Sequence, residues 1–133
     1  MMIGSPNRRF TRQQRLLTSS EFKPVFEQPG NKSSDHYFII LARANERVFA
    51  RLGLAIAKKQ VKLAVARNRV KRLIRESFRY HQWCLAGLDC VVLAKKRVTQ
   101  VNNHTLLLSL ARHWQQLSHQ CPKSSLPQGR RGS

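Results

Sequence analysis

Nine lysines and arginines stand in the 22 positions from Lys58 to Arg79, KKQVKLAVARNRVKRLIRESFR, against one acid, Glu76. Such groups do not break bonds by themselves. They bind anions, and the planar arginine fork matches a phosphate with paired N–H donors. On a helix at about 100° per residue, Ala66, Val70, Leu73, Ile74, Ser77 and Phe78 share one side. Asn68, Lys71, Arg72, Arg75 and Arg79 fan over an adjoining arc, with Arg67 at the seam. One face can bury while the other presents charge, and nucleic acid is the leading candidate partner. A merely solvated face usually mixes signs and sets Glu four residues ahead of Lys or Arg. Here the signs do not mix.

Residues for hydrolytic chemistry are sparse. A two-metal nuclease needs several carboxylates converging on one point. Glu21, Glu27, Asp35, Glu46, Glu76 and Asp89 are spread singly, with no DxD or ExxD spacing. His36, His81, His104, His113 and His119 show no HxxxH spacing, and His113, beside an apolar stripe, reads as a surface or helix-end residue. Cys84, Cys90 and Cys121 are odd in number and lack CxxC spacing, which fits reduced thiols in the cytosol. P-loop, GxGxxG and GxSxG motifs are absent. Any catalysis in which the chain takes part is expected to reside on its partner.

Two further groups carry a double reading. Phe22 and Phe26 are four apart and share a helical face. They either fill a core or, beside a basic surface, stack against unpaired bases. Lys58 and Lys59 sit between a strand and the basic helix, where they either contact a backbone phosphate or are simply solvated.

Composition supports a polyanion partner: 25 Lys plus Arg against 6 Asp plus Glu give a net charge of +19 on 133 residues. Self-repulsion on that scale favours a counter-charged partner. The length suits one domain with a modest core, and a hydrophobic share of 41% exceeds that of a disordered basic tail. The longest apolar run, Phe38 to Ala42, falls far short of the roughly 20 residues that span a bilayer. No apolar segment follows the basic N-terminus, so a secretory signal is not expected and the location reads as cytoplasmic.

The elements that must position these residues follow from periodicity. Residues 1–17 read as a basic arm, 18–120 as one α+β domain, and 121–133 as a disordered basic tail. Thr18 with Glu21 resembles a capping box opening a short helix through Glu27, although Pro24 removes a hydrogen bond inside it and Ser20 is an alternative cap. Residues 30–35 read as a loop with room for a short edge strand, and His36–Arg43 and Val48–Ala57 as strands. Gly53 marks a bulge or close backbone approach. The basic helix is expected over Leu63–His81 and a buried strand over Leu88–Ala94. A last helix, capped by Asn102 or Asn103, carries a stripe of Leu107, Leu110, Ala111, Trp114 and Leu117. Trp83 and Trp114 both sit on helical patterns and read as core.

The segment RNRVKRLIR, Arg67 to Arg75, matches the RNR signature of the bacterial ribonuclease P protein subunit family. RLLTSSEFKPVF at Arg15–Phe26, RLGLAIAKK at Arg51–Lys59, RESFR at Arg75–Arg79 and LDCVVLAKK at Leu88–Lys96 fall in that family's order. The chain resembles the family from Phe10 to Leu117. The resemblance implies an α+β sandwich, αβββαβα, whose four-stranded sheet includes a left-handed β–α–β crossover carrying the basic helix, an exception to the usual right-handed rule. It implies a ribozyme partner that holds the Mg²⁺, one protein per RNA, and endonucleolytic removal of the 5′ leader from precursor tRNA. Arg67, Asn68, Arg69, Lys71, Arg72, Arg75 and Arg79 would face the RNA subunit. Phe22, Phe26 and either Tyr37 or Phe38 would line a leader cleft between the first helix and the sheet, with Lys58 and Lys59 on its rim. Composition alone fits a ribosomal or RNA-chaperone protein equally well.

Overall fold

The computed structural model describes Arg15 and residues 19–120. The expected basic arm (apart from Arg15), Thr18 and the 121–133 tail lie outside the described residues.

Among the described residues three helices and four strands follow in the order α1 (Ser19–Glu27), β1 (Asn31–Ser34), β2 (Phe38–Ala44), β3 (Arg51–Ala55), α2 (Ala64–His81), β4 (Leu88–Ala94) and α3 (Asn103–Gln120). This is the α+β order αβββαβα. Short 3₁₀ turns at Gln82–Leu85 and Lys96–Gln100 bracket β4. The sheet order is β1-β2-β4-β3; β2 runs antiparallel to β1 and β4, and β3 parallel to β4. A parallel pair needs a crossover rather than a hairpin, and α2 supplies it.

Side chains alternate across the sheet, so each strand feeds two cores. Phe38, Ile40 and Ala42 of β2, Leu52 of β3, and Leu88, Cys90, Val92 and Ala94 of β4 face α2 and α3. Val70, Leu73, Ile74 and Phe78 of α2 and Leu106, Leu110, Trp114 and Leu117 of α3 close over them. The opposite face carries Leu41, Ala55, Val91 and Leu93, against which α1 sets Phe22 and Val25. The same β4 strand is therefore apolar on both sides, as its unbroken LDCVVLA run requires.

Several elements differ from the sequence reading. Asp35 is the reason β2 starts at Phe38: its Oδ1 accepts the backbone N–H groups of Tyr37 (2.8 Å) and Phe38 (2.9 Å). The Asp35 N–H bonds to the Phe38 carbonyl at 3.0 Å, closing a two-residue hairpin loop at His36–Tyr37. β3 is shorter than Val48–Ala57 because residues 45–49 turn, with Glu46 at φ 59° and Asn45 Oδ1 accepting the Arg47 N–H at 2.8 Å. Gly53 pairs with Val91 in an unbroken register, so it makes no bulge against β4. Asn102 caps α3, accepting the Thr105 N–H at 2.9 Å. The buried stripe of α3 is Leu106, Ser109, Leu110, His113, Trp114 and Leu117, while Leu107 and Ala111 are only half-buried. Trp114 is core, donating its Nε1–H to Ser77 Oγ at 2.8 Å. Trp83 is not: it lies in the 3₁₀ turn after α2 and is 53% exposed.

Candidate nucleic-acid interface

Helix α1 lies across the strands and covers only one end of its sheet face. Arg43, Asp89 and Arg51 form one cross-strand row, since Arg43 pairs with Asp89 and Asp89 with Arg51. Arg51 donates Nε and Nη2 to the two Asp89 carboxylate oxygens at 2.8 and 2.7 Å, and Asn45 adds a third donor at 2.8 Å. The bidentate Asp89 bond is the leading cause that raises the Arg51 pKa above its usual value. Arg51 also reaches Glu21 near the start of α1 at 3.8 Å. Arg43 reaches the other end, donating Nη1 to the Gln28 carbonyl at 3.1 Å and to that of Pro24 at 3.4 Å. The Pro24 carbonyl also accepts the Gln28 N–H at 3.0 Å. The Gln28 carbonyl lies past the helix end, where carbonyls need partners outside the helix, so Arg43 caps α1 and ties it to β2. Pro24 thus sits inside α1.

Beyond that row α1 covers one more before the face opens. The next row, Leu41–Val91–Gly53, lies under α1, where Val25 and Val91 are fully buried. The row after it, Ser34–Ile39–Leu93–Ala55, continues the same face, and Ile39, Leu93 and Ala55 are only half-buried. Phe22 packs in the cluster that includes Leu93 and Ala55, and Phe26 lies next to it, with ring centroids 6.1 Å apart and planes tilted by 41°. Phe22 is half-buried and Phe26 is 42% exposed. An apolar floor with an accessible aromatic wall is what an unstacked base needs.

The open end of this cleft carries lysines from two strands. The sequence runs AKK at Ala57–Lys59 after β3 and again at Ala94–Lys96 after β4. Because β3 and β4 are parallel, both pairs emerge at the same end of the sheet. The two turns are joined: the Lys96 N–H donates to Gln60 Oε1 at 3.2 Å. Lys95 Nζ bonds Ser34 Oγ at 3.4 Å and the Asp35 carbonyl. Lys58, Lys59 and Lys96 are exposed. Sequence reasoning finds only the first pair; the repeated AKK is the signal for the second, and the parallel pairing gives it meaning.

On α2 the charged arc divides. Asn68, Arg72 and Arg75 are exposed, and Lys71 and Arg79 are half-buried. Partial burial first, then the charge of Arg15, pushes the Arg75 pKa below its usual value. Arg15 is brought to this region by a parallel bridge to Leu52 on the outer edge of β3. Arg67 and Arg69 turn inward instead. Arg67 Nη1 donates to the Val61 and Lys62 carbonyls, both at 2.9 Å. Arg69 donates Nε to Asn103 Oδ1 at 2.8 Å and Nη2 to the Val101 carbonyl at 2.9 Å.

Phe38 does not line the cleft. It is 0% exposed in the α2/α3 core and edge-on to His113, because the hairpin turn directs its side chain to that side. Tyr37 is also on that side, half-buried against the same core. The β2 residue of the cleft floor is Ile39. His113 is likewise no surface residue: it is buried between Ser33 Oγ (2.6 Å to Nδ1) and Asp35 Oδ2 (3.1 Å to Nε2). Burial alone would push the Asp35 carboxyl up. Bonds from the Ser109 hydroxyl and the Phe38 and Tyr37 amides, with the charge of His113, outweigh it and lower its pKa to about 2.

Among the described residues no three His, Cys, Asp or Glu are grouped to hold a metal ion. The acids are engaged elsewhere: Asp89 and Glu21 with Arg51, Glu27 with Lys23 at 3.9 Å, and Asp35 in the hairpin. No helix among the described residues is long and apolar enough to cross a membrane.

Comparison with known proteins agrees with this architecture. The Ribonuclease P protein component of Pseudomonas aeruginosa is 46% identical over 121 residues, covering 91% of this chain and 90% of that protein. That of Methylococcus capsulatus is 47% identical over 118 residues, covering 89% and 91%. The RNase P protein of Thermotoga maritima superposes with a TM-score of 0.68 at 28% identity, over 77% of this chain and 96% of that one. A Staphylococcus aureus RNase P protein, a mutant with defective mRNA degradation activity, shares the fold with a TM-score of 0.73 at 24% identity, over 81% and 90%. The sequence model of the family described as Ribonuclease P matches residues 10–118, and the chain belongs to that family.

Proposed function

We propose that this chain is the protein subunit of a bacterial ribonuclease P, working in the cytoplasm as one copy per RNA subunit. It binds that RNA through α2 and holds the single-stranded 5′ leader of precursor tRNA in the cleft beside α1. The observation that carries the reading is the open row Ile39–Leu93–Ala55, walled by Phe22 and Phe26 and ended by lysines from two parallel strands. Aromatic and apolar surface takes the bases, and ammonium groups take the phosphates between them.

Among the described residues no three His, Cys, Asp or Glu are grouped to hold a metal ion, which supports a reading in which Mg²⁺ is held by the RNA. Mg²⁺ and the hydrolytic step belong to the RNA subunit. The chain's own part is binding: it neutralises phosphates near the cleavage site and fixes the leader's path.

Reconstitution with a bacterial ribonuclease P RNA tests this. At low Mg²⁺ the chain should raise the rate of precursor tRNA cleavage well above that of the RNA alone. RNA-free protein should cleave nothing. Absence of stimulation, or cleavage by the protein alone that disappears when one of its carboxylates is replaced, would overturn the proposal.

A further inference from the structure

Arg67 and Arg69 flank Asn68 at the start of α2, yet their guanidinium groups are turned toward the chain's own backbone. Arg67 bonds the carbonyls of Val61 and Lys62, in the turn that follows Lys58 and Lys59. Arg69 bonds Asn103 Oδ1 and the carbonyls of Val101 (2.9 Å) and Val98 (3.4 Å), within and just past the 3₁₀ turn that begins at Lys96. Each arginine therefore grips the segment behind one of the two lysine pairs.

The chemistry of the fork matters here. Arg51 shows in this molecule how a guanidinium meets an oxyanion side-on, through Nε and Nη2. Arg69 commits that same pair of nitrogens to Asn103 and Val101. A lysine in its place has one nitrogen and cannot span these acceptors. Both turns also have independent anchors in the core, since Val61 and Val98 are fully buried. The arginines thus set the registration of the turns against α2 and leave their existence to the core.

We propose that Arg67 and Arg69 are positioning residues: they lock the two lysine-bearing turns of the cleft rim onto α2, holding the rim in register with the helix's exposed arginines. This rests on the reading that the lysine-rimmed cleft takes the leader. Arg72 and Arg75, which are exposed, then carry the phosphate contacts of this helix.

The test compares Arg69→Ala, Arg69→Lys and Asn103→Ala in the reconstituted holoenzyme. A residue that neutralises one RNA phosphate contributes about 0.7 to 0.9 to the slope of log K against log salt. For a positioning residue, Arg69→Ala should leave that slope for RNA-subunit binding unchanged. It should weaken precursor tRNA at least fivefold more than mature tRNA. Arg69→Lys should behave like the alanine variant although it keeps the charge. Asn103→Ala should act in the same direction, two- to threefold, and add nothing when combined with Arg69→Ala. Melting temperature and circular dichroism of each variant identify gross unfolding, and hydrogen exchange over residues 95–103 of the free protein should quicken in Arg69→Ala. A slope reduced by about one phosphate, full rescue by lysine, or unchanged exchange over 95–103 would overturn the proposal. If the unmodified holoenzyme does not distinguish precursor from mature tRNA, the leader reading fails instead, while the salt slope and the exchange of that segment still decide the role of Arg69.

Discussion

The two faces of the sheet are built from the same strands to opposite ends. On the α2/α3 face, Phe38, Ile40, Cys90 and Val92 are wholly buried under two 18-residue helices. On the other face the nine-residue α1 covers the Arg43–Asp89–Arg51 and Leu41–Val91–Gly53 rows and leaves Ile39, Leu93 and Ala55 only half-buried. Burial of apolar surface contributes roughly 25 cal/mol per Å², so the closed face supplies most of the stability. The open face forgoes some of that gain and keeps apolar area available for a ligand. A strand that is apolar on both sides can thus serve as core and as binding floor at once.

The sharpest way to break this contrast is to truncate one phenylalanine on each face. Phe38→Ala should cost about 3–5 kcal/mol of stability, as buried Phe→Ala changes do. Denaturant unfolding of the free protein measures it, and the variant should show no preference between precursor and mature tRNA in its losses. Comparable to it is Asp89→Ala, which leaves Arg51 without its main partner and should cost about 3–5 kcal/mol, the range for breaking a buried pair. Because Arg51 also contacts Glu21, α1 should loosen first, visible as faster hydrogen exchange over residues 19–28.

Phe26→Ala makes the converse case. Stacking on one aromatic is worth about 1–3 kcal/mol, so precursor tRNA affinity of the holoenzyme should fall roughly fivefold to over a hundredfold at 1.4 kcal/mol per factor of ten. Mature tRNA should bind almost as before. Melting temperature should move far less than for Phe38→Ala.

Smaller effects sharpen the boundary between the faces. Asn102→Ala removes the α3 cap and should cost about 1 kcal/mol, with no leader effect. Asp35 titrates at about 2 when folded, against an ordinary value of 3.8. Its folded pKa is depressed, so its contribution is complete above about pH 4 and is lost as the pH falls toward 2. Unfolding midpoints measured across that window should decline, and Asp35→Asn should flatten the decline. Trp83→Ala, on the exposed turn, should stay within about 0.5 kcal/mol of wild type.

The closed face was the more legible in the sequence. The 3.6-residue period of α2 gives its buried side almost residue for residue, from Val70 to Phe78. The run Tyr37–Leu41 gives no such signal, because apolar residues on both sides of a strand erase the alternation that sets register. There the Asp35 turn decides, and it sends Phe38 into the core and Ile39 to the cleft. In α3 the stripe shifts to Leu106 because Ser109 and His113 bury polar groups against Asp35 and Ser33, partners 74 and 80 residues away. Trp83 fits the period of α2, but the helix ends at His81 and the phase is lost. The second lysine pair and the inward turn of Arg67 and Arg69 depend on tertiary pairing that no local pattern contains.

In the proposed function the α1 face, not the α2/α3 face, receives the leader. A precursor tRNA with 4-thiouridine at single leader positions, bound to the reconstituted holoenzyme and irradiated, tests it directly. Protein crosslinks are expected in the segments containing Phe22 and Phe26, Leu93 and the Lys58–Lys59 turn. Crosslinks confined to α3 or to Arg72–Arg79 of α2, with none in α1, would contradict it.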